Sequence, residues 1–359
     1  MNQYKKKNNI VLVSFNMYKG GSLTIYNNLK PLILKKKNLI NITFGRKFKI
    51  IKNNKIKLLY PIKYFNLLYR LFIEQVLVLM VAFIKRPKKV IMLGNFPCIL
   101  FRGSQKIFFH NLLYLKSLKF PFKYGFKLTL ESLFWKLSIN LIKPDICVQT
   151  DYVKKSLENY FKEDLTIKTI GCPIKNKIRV SKKCEKIKDF SKTFSNIISD
   201  NDSLHFIYPA AYYPHKNHKF LFESADLFKK EKIKIHLTFS QNHIKKNDFD
   251  SRCFVFYEHL NELEINYLYS KVDALIFTSL SESLGMPLLE ITKHKKPVIA
   301  IDMHYVESAI KNFYFFKPSQ KSLAKTIKSF KTDIFAKKLK IARSNINTNP
   351  SIFFEELLS

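Results

Sequence analysis

Seven residues separate Glu282 from Glu290, and among them are Ser283, Leu284, Gly285, Met286 and Pro287. The run before them, residues 272–278, is apolar, β-branched and aromatic, the composition of a buried strand. Pro287 suits the first position of a helix, which Leu288, Leu289, Ile291 and Thr292 continue. Glu282 therefore falls in the loop that leaves a strand, and Glu290 about one turn inside the following helix. The backbone N–H groups of Ser283, Leu284 and Gly285 lie at the helix start, where a phosphate group is well received. One acid ahead of that point and one behind it could hold the two ends of a sugar nucleotide. Two glutamates at a fixed gap are common, and an ordinary loop acid followed by a first-turn acid complementing the helix dipole is the plain alternative. The strand before the pair and the Gly and Pro inside it favour the chemical reading.

Four further segments stand in a fixed order ahead of this one: Gly20-Gly21, Phe109-His110-Asn111, Val148-Gln149-Thr150, and Tyr208-Pro209 through to Lys216-Asn217-His218. Together with the two glutamates they resemble the signature of the group 1 (family 4) retaining glycosyltransferases of GT-B fold. The resemblance implies roles. Glu290 would hold the ribose hydroxyls of the donor, and Glu282 would act at the transferred sugar. Lys216 would sit near the donor pyrophosphate and stabilise the charge of the leaving group. His110 would contact the transferred sugar, and Gly20 and Gly21 would border donor phosphate and acceptor. The family usually supplies an Arg five residues before the Lys; this chain has Ala211 there.

The same residues can be read without the family. Gly20 and Gly21 follow a first strand at residues 10–14 and let backbone approach a ligand, although a plain turn would use them too. His110 ends a strand and could bond a sugar hydroxyl or move a proton near neutral pH, or simply cap the strand. Lys216, between a strand and a helix, is raised above an ordinary surface lysine by its position.

These side chains need a scaffold, and the chain alternates strand and helix twice. In the first half, strands are expected at 10–14, 39–44, 57–60, 90–93, 106–110 and 146–150, with helices at 22–36, 63–84, 127–142 and 152–161. In the second, strands are expected at 204–208, 233–239, 253–256, 274–277 and 298–300, with helices at 217–230, 260–271, 287–293 and 320–329. Alternation of this kind predicts an α/β fold of two doubly wound, Rossmann-like domains that face a cleft. The boundary is expected near Gly171-Cys172-Pro173, giving domains 1–172 and 173–350, with a Lys- and Ser-rich stretch at 175–202. Residues 351–359 would cross back to the first domain.

With 359 residues, 47% hydrophobic, the chain can bury two cores. Five cysteines without a C-x-x-C pair argue for a reducing compartment and against a disulfide framework or a cysteine zinc site. The net charge of +36 comes with a composition dominated by Lys, Ile, Asn and Phe. It is consistent with biased codon usage, a nucleotide substrate, or an anionic membrane surface. Zinc-finger spacing, an RNP-like aromatic box and a basic recognition helix are all missing, so nucleic acid is not expected as a partner. The most apolar run, 71–84, is broken by Glu74 and Gln75 and is too short to span a bilayer; it reads as a helix on the first sheet or as an interfacial one. Asp248-Phe249-Asp250 and Asp200-Asn201-Asp202 have metal-binding spacing but lie in polar loops, and His215 with His218 lacks further ligands.

The sequence thus predicts a metal-independent, cofactor-free glycosyltransferase. It would be cytoplasmic, either free or peripheral on the inner face of the membrane. Its donor would be a nucleotide-sugar and its acceptor a lipid-linked or saccharide chain of the cell surface, such as lipopolysaccharide, O-antigen or capsule. A nucleotide-sugar epimerase of the same fold and a non-enzymatic basic protein binding nucleic acid or membrane are the rival readings.

Overall fold

The structure, a computed structural model, describes residues 9–14, 17, 20–44, 55–58, 66–115, 122–162, 165–174, 188–198, 202–244, 250, 252–258 and 260–359. The chain divides into two compact units, Met1–Ile174 together with Asn347–Ser359, and Lys175–Ile346. The first unit begins with β1 Ile10–Val13, α1 Gly20–Lys35, β2 Leu39–Phe44, β3 Lys55–Leu58, α2 Asn66–Lys85 and β4 Lys89–Met92. It continues with β5 Ser104–Phe109, α3 Phe122–Ile142, β6 Asp145–Val148, α4 Asp151–Phe161 and β7 Ile167–Thr169. The second holds α5 Lys188–Ile198, β8 Leu204–Tyr208, α6 His218–Glu223, α7 Ala225–Lys230, β9 Ile233–Leu237, β10 Phe254–Phe256 and α8 Glu262–Lys271. After these come β11 Ala274–Phe277, α9 Met286–Thr292, β12 Val298–Ile301, α10 His304–Ala309, β13 Ile310–Lys311, β14 Tyr314–Phe316, α11 Gln320–Phe335 and β15 Arg343–Ser344. A last helix, α12 Pro350–Leu358, returns to the first unit.

Both units are doubly wound. In the first, seven parallel strands run in the order β3-β2-β1-β4-β5-β6-β7. In the second, six run β10-β9-β8-β11-β12-β14, with β13 and β15 forming a separate antiparallel pair. Short runs such as Val11-Leu12-Val13 and Leu275-Ile276-Phe277 are wholly covered, as a parallel sheet clad by helices on both faces requires. Strand order reverses between β1 and β4 in the first sheet and between β8 and β11 in the second. A crevice opens beyond the strand C-termini at such a reversal, which is where ligands bind in open α/β sheets.

Val78 and Val81 of α2, Trp135 and Ile139 of α3, and Val153, Leu157 and Phe161 of α4 join Val13, Met92, Phe109 and Val148 in one core. These three helices therefore share one face of the first sheet. The return of α12 is fixed locally. The Asn349 side chain accepts from the amides of Ser351 and Ile352, and Pro350 opens the helix. Phe353 meets Phe108 edge-to-face at 5.2 Å, and Lys89 Nζ donates to the Ser359 carbonyl at 2.7 Å. Gly171, at φ +78°, passes so close to this segment that a Cβ would lie 2.2 Å from the Asn347 carbonyl oxygen. The amides of Cys172 and Ile174 donate to the carbonyls of Asn347 and Thr348, which ties residues through Ile174 to the first unit.

Some elements differ from the sequence reading. Helix α5 lies within the stretch read as a Lys- and Ser-rich connection; its Phe190 and Phe194 pack on Tyr257 and Tyr267, an apolar stripe that the surrounding lysines masked. Helix α3 starts at Phe122 rather than 127, because Gly125 does not break it. Strand β3 is Lys55–Leu58 rather than 57–60.

Candidate active site at the strand reversal of the second sheet

The second reversal point is assembled by backbone carbonyls near Lys216. Strand β8 ends at Tyr208, which is fully buried, and its hydroxyl donates to the Lys216 carbonyl at 2.7 Å. Residues Pro214–Lys216 form a single 3₁₀ turn, closed by Asn217 in the left-handed region at φ 55°. From the neighbouring strand β11, Thr278 Oγ1 donates to the same Lys216 carbonyl at 3.1 Å, and Ser279 Oγ to the His215 carbonyl at 3.1 Å. The Leu280 amide donates to the His215 carbonyl at 2.8 Å, and the Tyr305 hydroxyl to the Ser279 carbonyl at 2.5 Å. Two loops from adjacent strands are thus stitched into one rigid rim.

That stitching brings Lys216 to Glu282. Their side chains form an ion pair, with only 18% and 14% of each exposed. Gly285 follows at φ 74° and ψ 71°, and a Cβ there would meet Leu288 Cδ1 at 2.9 Å and Phe277 Cζ at 3.1 Å. The turn into α9 therefore requires glycine twice, for its dihedral and for its space. Pro287 takes the second helical position rather than the first, since the helix opens at Met286. Glu290 lies in the second turn of α9 and accepts from the Tyr269 hydroxyl at 2.8 Å. Burial raises its pKa above the usual carboxylate value, and the Tyr269 hydrogen bond pulls the other way.

The rim is lined by neutral imidazoles. Burial, then the Lys216 charge, lowers His215 to about 4; the same two causes lower His218 to about 3. Burial also raises the Tyr208 phenol. Among the described residues of this rim Lys216 is the basic side chain that pairs with a carboxylate. At the position five residues earlier Ala211 is exposed, and Tyr212 and Tyr213 beside it are about 40% exposed.

The remaining predicted residues belong to the first unit. Gly20 opens α1, the helix that follows β1, at φ 57° with nothing within 4 Å of a Cβ, and Gly21 follows it in the helix. His110 directly follows β5. Its amide donates to Asn95 Oδ1 at 2.7 Å, and its ring lies 5.6 Å from that of Phe108. Of the metal-spaced acids, Asp250 is engaged by Arg252 at 2.9 Å and Lys229 at 2.8 Å, and the Arg252 hydrogen bond leads the lowering of its pKa. Asp202 pairs with Lys232 at 3.3 Å, and Asp200 and Asp248 lie outside the described residues. Among the described residues no three His, Cys, Asp or Glu side chains gather as a metal site would need.

Sequence reasoning passed over Thr278, Ser279, Tyr305 and Tyr269. The two hydroxyls at the end of an apolar strand were a readable signal. Tyr269, in the helix before the strand, carried none.

Residues 189–347 match the family model for group 1 glycosyl transferases. The match lies almost wholly in the second unit and covers under half of the chain. Three solved structures show the same two-domain GT-B fold. Sucrose-phosphate synthase of Thermosynechococcus elongatus is 13% identical with a TM-score of 0.69, covering 98% of this chain and 94% of its own. WaaG, a glycosyltransferase involved in lipopolysaccharide biosynthesis, is 11% identical with a TM-score of 0.64 over 92% of each chain. HepE of Anabaena, crystallised with UDP and glucose, is 13% identical with a TM-score of 0.64 over 97% of this chain and 94% of its own. No curated protein matches the chain significantly. No described helix is long and apolar enough to cross a membrane.

Proposed function

We propose that this chain is a glycosyltransferase of the retaining, family 4 type that moves a sugar from a nucleotide-sugar to a lipid-linked or saccharide acceptor of the cell surface. The observation that carries the reading is the pairing of Lys216 with Glu282 at the strand reversal, with Glu290 on the helix that follows. A covered ammonium at the mouth of a parallel sheet suits a diphosphate. It stabilises most strongly the form in which the glycosidic bond has broken and charge has gathered on the leaving group. Before the donor arrives, Glu282 keeps that ammonium compensated.

Glu290 would accept from the ribose hydroxyls, with Tyr269 holding its carboxylate in place. The backbone at Leu284 and Gly285 would meet the phosphates, and Glu282 would face the transferred sugar. Helix α9 has seven residues, so its dipole is modest and Lys216 bears most of the electrostatic work. His110, Gly20 and Gly21 would serve the sugar and acceptor from the first unit. The reaction proposed needs no metal or further cofactor. HepE was crystallised with UDP, and WaaG acts in lipopolysaccharide biosynthesis; both fit a uridine donor and a cell-surface acceptor. The enzyme would then work in the cytoplasm, at the inner face of the membrane. Proton NMR of the product tests the stereochemistry: the anomeric configuration of the donor should persist, and its inversion would remove the retaining assignment.

A further inference from the structure

The outer face of α3 is apolar, although the helix already buries its other side. Leu128, Phe134, Trp135 and Ile139 pack into the core. On the opposite side Phe126, Leu130, Leu133, Leu137 and Leu141 are between 45% and 59% exposed. At 100° per residue these five fall within an arc of about 80° and extend for about 22 Å, and Trp135 lies roughly 160° from their centre. A helix that only had to cover the sheet would present polar residues there.

The charges around this stripe have one sign. Lys127, 3.8 Å from Glu131, borders one edge of the stripe, Lys136, 5.2 Å from the Tyr160 ring, borders the other, and Lys143 follows the helix. All three are exposed. The helix's single acid, Glu131, is turned inward, its side chain 12% exposed and accepting from the Tyr114 hydroxyl at 3.3 Å. Helix α2 packs on the same face of the sheet and ends with Phe83 81% exposed and Ile84 68% exposed, followed by exposed Lys85, Arg86 and Lys88.

We infer that the outer faces of α3 and of the C-terminal end of α2 form a docking surface for an anionic lipid bilayer. The stripe of α3 enters the boundary between headgroups and acyl chains, with its axis in the membrane plane. Lysines at its two edges reach back to the headgroup phosphates, as long basic side chains do at an interface. A protein partner with an apolar groove could cover the stripe, but the lysines on both edges and the basic end of α2 fit a continuous anionic plane. The inference names the partner of a membrane-side acceptor and rests on that reading for its purpose, while its test requires no catalysis.

The full chain is sedimented with vesicles of phosphatidylglycerol and phosphatidylcholine, and with phosphatidylcholine alone. Binding should be at least tenfold tighter to the anionic vesicles and should weaken as salt is raised. Leu133→Gln with Leu137→Gln should cut it at least tenfold, and Lys136→Gln with Lys143→Gln by roughly fivefold per lysine. Trp135, the only tryptophan, lies on the buried side of α3, so unchanged emission shows that the variants are folded. A nucleotide thermal shift on the same samples reports the donor site separately. Wild-type binding left intact by both pairs, equal binding to both lipids, or no binding at low salt would each overturn the proposal. So would a wild-type dimer that the leucine pair converts to monomer, which would assign the stripe to a second copy.

Discussion

Removing the Lys216–Glu282 pair one partner at a time should cost more than removing both. Fully exposed ion pairs contribute about 0–1 kcal/mol, whereas stripping one partner from a buried pair costs about 3–5 kcal/mol. With 18% and 14% of the side chains exposed, this pair lies between those limits, and a coupling of about 1–2 kcal/mol is expected. Lys216→Met leaves Glu282 under cover without a cation, and Glu282→Gln leaves the ammonium without an anion. The double variant relieves both. Urea unfolding of the four proteins closes the cycle, and the fold should survive because the rim is held by the backbone carbonyls of His215 and Lys216 rather than by their side chains. Turnover should behave differently from stability. Loss of the ammonium should lower kcat on the order of a hundredfold, about 2.7 kcal/mol, and the double variant should not regain it. A coupling below about 0.3 kcal/mol, or a double variant as active as wild type, would refute the reasoning.

Gly285→Ala should destabilise the second unit by roughly 2–4 kcal/mol, from a left-handed residue that gains a Cβ and from contacts at 2.9 and 3.1 Å with Leu288 and Phe277; calorimetry measures it. Because burial raises the Glu290 pKa, the folded state resists its ionisation. That penalty is absent below the unfolded carboxyl value of about 4.3 and grows as pH rises through the folded one. Glu290→Gln should therefore melt higher than wild type at pH 7 but not at pH 4, while its KM for donor rises about tenfold or more; a lower melting temperature at pH 7 would contradict this. Tyr269→Phe should raise the same KM severalfold with little change in kcat, since it only aligns Glu290. His215 and His218, lowered to about 4 and 3, are protonated more readily when unfolded, so stability should fall as pH drops below about 6.5. His218→Phe should flatten that loss in acid unfolding curves.

The alternation of strand and helix was readable because parallel strands buried on both faces, such as Ala274–Phe277, are continuous apolar runs. Glu282, Gly285 and Glu290 were readable because their types and spacing coincide with the end of such a run. The partner of Glu282 was not: sequence separates Lys216 from it by 66 positions, and it is the hydroxyls of Thr278 and Ser279 and the Leu280 amide that bring the two loops together. Helix α5 was obscured by its lysines, whose aliphatic stems tolerate a solvent face beside Phe190 and Phe194. The outer stripe of α3 has no counterpart in a rule that reads one apolar face per helix. With apolar residues on both sides of α3, periodicity reports a helix but gives no facing.

The most direct test is titration of nucleotide-sugars, UDP-sugars first, into the wild type and the Lys216→Ala and Glu290→Gln variants. A donor bound at the second strand reversal should stabilise the wild type by about 2.7 kcal/mol at a hundredfold excess over Kd. Each variant should lose at least tenfold in affinity while remaining folded. Equal affinity in all three proteins would place the donor elsewhere and contradict the site assigned here.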